Sequence, residues 1–98
     1  MTNVRIGVMY DRAWAPEELP GFARRAEALG VDDLWVVEDL GWNGGVSAAA
    51  VALGATERIR VGLGIAPAPL RSPALLAMEL ATLARSTARS SHLTARPY

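Results

Sequence analysis

Apolar and polar positions alternate in blocks along the chain. "NVRIGVMY" is the first block, with Val4, Ile6 and Val8 interleaved with Arg5, Gly7 and Met9. It reads as a strand apolar enough to be buried on both faces. "APEELPGFARRAEALG" follows with helical spacing. Leu19, Phe22, Ala23, Ala26 and Leu29 share one side, with Arg24, Arg25 and Glu27 on the other. The spacing predicts a regular helix from near Pro20, a leading turn over Pro16 to Leu19, and Gly30 just past the helix end.

"DLWVVED" (Asp33 to Asp39) predicts a second strand, with Trp35 in the core. An alanine-rich helix is expected from about Val46 to Ala55. "RIRVGLGI" (Arg58 to Ile65) predicts the third strand. Ser72 and Pro73 are a good N-cap and first residue for a third helix, whose stripe is Leu76, Leu80 and Leu83, widened by Ala77, Ala81 and Ala84. The order β-α-β-α-β-α predicts an α/β fold with parallel strands and right-handed crossovers. Two sheet edges are left open. "STARSSHLTARPY" carries no strand period, so 86–98 is expected to be an aberrant tail, disordered or frameshifted.

Composition narrows the classes. The chain has 98 residues, ten basic and ten acidic, and no cysteine. A neutral balance gives no nucleic-acid footprint and no reason to expect an anionic membrane. Absence of cysteine excludes disulfides, thiolate nucleophiles and zinc-thiolate sites, and a metal site is not expected. No signal peptide or spanning segment is read, so the expected location is cytoplasmic.

Ligands of parallel α/β folds gather at the C-terminal strand ends. Here these are Met9 to Trp14, Glu38 to Gly45 and Gly64 to Arg71. Adjacent Glu38 and Asp39 read either as a base or ligand acceptor, or as solvated charge; on a strand they point to opposite faces. Tyr10, Trp14 and Trp42 either pack or wall an aromatic ligand, and are the substrate-pocket candidates. "GLGIAP" fails the dinucleotide fingerprint, because Pro67 stands at the third glycine position and has no N–H to donate. Ala66-Pro67 and Ala68-Pro69 are candidate cis bonds. His92, the single histidine, falls in the tail and is not taken as catalytic.

"FARRAEALGVDDLWVVED", "ATERIRVGLGIAPAP" and "RSPALLAMELATLAR", in this order and spacing, resemble the N-terminal part of the luciferase-like monooxygenase family, over about Asn3 to Arg85. The resemblance implies the first three βα units of a (β/α)8 TIM barrel, truncated, in residues 1–85. It implies a flavin- or deazaflavin-dependent oxidoreductase or monooxygenase, with coenzyme F420 or FMN at the barrel mouth. Aligned on a Ser-Asp-His-like triplet, Asp39 becomes the cofactor-contacting carboxylate, and Leu40 replaces the histidine. A bulge with a non-proline cis peptide behind the ring falls on Gly64, Ile65 and Ala66. A small-molecule substrate is implied, and a homo-oligomer is left open for a full-length form. A full barrel takes about 250 residues. The alternative is a non-catalytic remnant or a protein-interaction module.

Overall fold

The computed structural model describes residues 4–89 and 92–97. The chain runs β1 (Gly7–Tyr10), a 3-10 turn (Pro16–Glu18), α1 (Leu19–Ala28), β2 (Asp33–Val36) and α2 (Gly45–Ala55). It continues through β3 (Arg60–Ala66), a second 3-10 turn (Ala68–Leu70), α3 (Pro73–Ser86) and β4 (Leu93–Pro97). The sheet order is β1-β2-β3-β4, and every neighbouring pair is parallel. Among the described residues no helix is long and apolar enough to cross a membrane.

Register explains the core. Val8, Leu34, Val61 and Leu93 align across the four strands, and Tyr10, Val36, Leu63 and Ala95 align two residues further on. Side chains alternate in strands, so these rows share the face that the helices cover. Leu34, Val61 and Leu63 are completely buried there, each worth about 1.5–3 kcal/mol relative to exposure. Ala49, Ala52 and Leu53 of α2 and Leu19, Ala23 and Ala26 of α1 complete the core.

The opposite face corrects the expectation of strands buried on both sides. It carries Gly7, Met9, Asp33, Trp35, Arg60, Gly62 and Arg96, and Met9 is 53% exposed. Trp35 is therefore half-buried on this open face, not in the helix-side core. The Arg5 guanidinium grips Asp33 with two hydrogen bonds, 3.2 and 2.8 Å. The Arg96 guanidinium lies 5.4 Å from the centre of the Trp35 ring.

The helix ends follow local chemistry. α1 starts one residue before Pro20, which sits where a missing N–H costs nothing. It closes at Gly30, with φ of 82°. There Gly30 N donates to Glu27 O and Val31 N to Ala26 O, a left-handed cap that glycine favours. Leu29, expected on the apolar stripe, is exposed because the helix has already ended. Ser72 caps α3, its Oγ accepting from Leu75 N at 3.2 Å.

The tail also differs from the sequence reading, which expected no strand after residue 86. Leu93 to Pro97 forms β4 against β3. Leu93 and Ala95 extend the two core rows, which is reason enough for these five residues to pair. Arg89 is 6% exposed and donates to Leu53 O, Thr56 O, Thr56 Oγ1 and Ile59 O. It ties the end of α2 to the entry of β3. Burial pulls its pKa below the ordinary arginine value, with Glu27 and Glu57 opposing.

Candidate functional site

A cleft of about 500 Å³ opens at the C-terminal ends of β1, β2 and β3. Met9, Val37, Asp39, Leu40, Gly64 and Ile65 contribute to it, with Pro67, Pro69 and Leu70 from the β3–α3 loop. The volume is in the range of small-molecule sites, about 300–1,000 Å³. Asp39 and Gly64–Ile65 therefore meet in one space. Ala66 does not line it: this residue is 3% exposed and belongs to the core.

Glu38 and Asp39, just past the end of β2, face different ways. Glu38 turns inward and is 6% exposed. Its Oε2 accepts from Gly45 N at 2.9 Å and from Arg71 Nη2 at 2.5 Å. Oε1 has no partner. The Glu38–Arg71 ion pair fastens the β3–α3 loop, and with it the Pro67–Leu70 wall of the cleft, to the start of α2. Neither residue's pairing was visible from local pattern; the usable signal was that a carboxylate on an inward strand position needs a cation.

Asp39 stays at the rim. Arg12 Nη1 pairs with its Oδ2. The same guanidinium lies 4.9 Å from the centre of the Trp42 ring, and Asn43 Nδ2 donates to Arg12 O at 3.5 Å. Trp42 is thus 51% exposed beneath Arg12 and outside the cleft lining.

Tyr10 and Trp14 are not brought to Asp39 either. Tyr10 faces the helices, its ring 5.2 Å from Trp14 and 5.1 Å from Phe22, both edge-on. Its hydroxyl donates to Ala15 O. Burial, with Glu18 and Glu17 nearby, pushes the phenol above the ordinary tyrosine value, so it remains a donor. These rings anchor the β1–α1 connection.

The single cis peptide among the described residues is Gly64–Ile65. It falls in the stretch to which the resemblance assigned one; Ala66-Pro67, named as a candidate, is not cis, and the Ala68-Pro69 candidate rests on a residue outside the described ones.

A planar, flavin-like ring is compatible with these residues. Gly64 presents no side chain, the remaining walls are largely apolar, and Asp39 offers an acceptor at the edge. No cation lines the cleft among the described residues, so it offers no ionic grip for a phosphate.

The family model described as luciferase-like monooxygenase matches residues 1–87. The chain belongs to that family. Three solved structures share its fold. The coenzyme F420 dependent tetrahydromethanopterin reductase from Methanopyrus kandleri superposes with a TM-score of 0.87 at 20% identity, over 98% of this chain and 27% of that one. The monooxygenase RslO1 from Streptomyces bottropensis gives 0.77 at 23% identity, over 92% and 31%. Apo-MsnO8 gives 0.78 at 24% identity, over 96% and 33%. The chain thus spans about a third or less of each. Comparison with curated proteins gave no match.

Proposed function

We propose that this chain supplies a ring-binding wall of a flavin- or deazaflavin-dependent oxidoreductase or monooxygenase, working in the cytoplasm on a small organic substrate. The observation that carries this reading is one apolar cleft, at parallel strand ends, lined by both Asp39 and Gly64–Ile65. The cofactor, coenzyme F420 or FMN, supplies hydride transfer or oxygen activation when bound. The chain's own residues bind and orient it. Asp39 accepts a hydrogen bond from a ring N–H while Arg12 pairs with its Oδ2. Gly64 and Ile65 form one wall of the cleft, against which a flat ring lies. Met9, Val37 and Leu70 exclude water from one side. Leu40 has no exchangeable proton, so no proton step runs through that position in this chain.

Amide shifts during titration with each cofactor test the reading. Changes centred on Val37 to Leu40 and Gly64 to Leu70 are expected. Saturable binding that leaves those amides unmoved would overturn it.

A second reading, a protein-interaction module, draws support from Val4 and Ile6 beside the open β1 edge, 79% and 61% exposed. Stable association with another protein through that edge, without cofactor uptake, would favour it.

A further inference from the structure

A second cavity lies on the helix side of the β1 and β2 ends, and the cofactor reading does not use it. Its volume is about 230 Å³. An apolar cavity of ~150 Å³ already takes benzene. Tyr10, Leu19 and Val36 form its buried wall, at 7%, 2% and 1% exposure, and Ala48 and Val51 of α2 form the facing wall. The space has a sequence origin: at the start of α2 the chain places Gly44, Ser47 and Ala48, residues too short to fill it. Val37 is the one side chain common to this cavity and the cofactor cleft.

The polar rim consists of Asp11, Arg12, Asn43 and Ser47. The Arg12 charge is already matched by Asp39. Asp11 Oδ1 accepts from Ala13 N, and the Asn43 amide group donates to Arg12 O. These groups still offer acceptors, in the second Asp11 carboxylate oxygen and the Asn43 carbonyl, and donors, in the second Asn43 N–H and the remaining Arg12 N–H groups, with the Ser47 hydroxyl able to do either. An apolar space with such a mixed rim selects a flat apolar body with one hydroxyl, which can donate and accept. Asp11 opposes an anion, and the apolar walls oppose burial of a cation, so the ligand is neutral. We propose that this cavity is a binding site for a small neutral aromatic alcohol of phenol size.

The site binds independently of any cofactor, so its test is separate from that of the proposed function. Amide shifts of the whole chain are followed during titration with phenol, toluene and benzoate. Saturable phenol shifts confined to Tyr10, Val37 and the stretch Asn43 to Val51 are expected. Phenol should bind roughly fivefold tighter than toluene, the worth of one modest hydrogen bond, and benzoate should bind weakest. Ala48→Leu should abolish binding by filling the space, and Asp11→Asn should shrink the preference for phenol over toluene. If Ala48→Leu does not fold, Val51→Phe at the exposed rim closes the same space with less strain. Scattered or non-saturating shifts, equal binding of toluene, or unchanged phenol binding in a folded filled variant would overturn the proposal.

Discussion

The indole of Trp35 lies against Gly62: a Cβ added at Gly62 would sit 2.4 Å from Cε3 and Cζ3 of the ring. The neighbouring Gly64 is crowded by the same ring, at 2.7 Å. Two glycines of β3 thus make room for one large side chain on the open face of the sheet. Gly62→Ala is expected to destabilise the chain by about 1–3 kcal/mol, the usual result of overpacking. Gly21→Ala is the control. Nothing lies within 4 Å of the new Cβ in α1, so a gain of about 0.5–1 kcal/mol is expected there. Urea unfolding of the two variants measures both signs.

Arg89 holds four acceptors while almost fully buried. Arg89→Met keeps much of the bulk and removes every donor. The carbonyls of Leu53, Thr56 and Ile59 are then left without this partner. A loss of about 2–4 kcal/mol is expected in urea unfolding. An unchanged midpoint would mean that the segment after α3 is not integrated with the core.

The Glu38–Arg71 pair predicts non-additivity. Arg71→Met alone strands a buried carboxylate and should cost about 3–5 kcal/mol. Glu38→Gln combined with Arg71→Met removes the charge as well, and should cost less than the single change. A double-mutant cycle by chemical denaturation reads the coupling directly. Additive losses would show that the two groups do not stabilise one another.

Glu27 gives a pH signature. Burial alone would push its carboxyl up. Hydrogen bonds from the amides of Arg58, Ile59 and Glu57, with the Arg58 charge, outweigh that and hold it below the ordinary glutamate value. A carboxyl depressed in the folded state contributes its full stability above the unfolded value, about 4.3. That contribution fades as pH falls through the folded value. Glu27→Gln should therefore be less stable than the parent at neutral pH, with the gap closing in acid. Thermal midpoints of both proteins at neutral and acid pH check this, and a pH-independent gap would contradict it.

The order of strands and helices was legible because the apolar runs around Val8, Leu34 and Val61 are separated by the amphipathic α1 and the alanine-rich α2. Ser72 and Gly30 behave as their residue types dictate. β4 was not legible: Leu93 and Ala95 are only two apolar positions in a five-residue strand, and partners supplied by β3 are what hold them. Tyr10 lies off the Asp39 cleft because strand alternation puts it on the same face as Val8, towards the helices. Glu38–Arg71 and Arg12–Asp39 join residues far apart in sequence, and only the folded sheet brings them together. Asp39 beside Gly64 came from family resemblance, not from periodicity.

The most direct test of the central claim is equilibrium titration of the chain with coenzyme F420 and with FMN, followed by cofactor absorbance and repeated on Asp39→Ala. The account predicts saturable binding of at least one cofactor. It also predicts that removing the Asp39 acceptor weakens that binding by ~1–3 kcal/mol, in a variant as stable as the parent. Affinity unchanged by Asp39→Ala, or no uptake of either cofactor by the folded chain, would contradict the account.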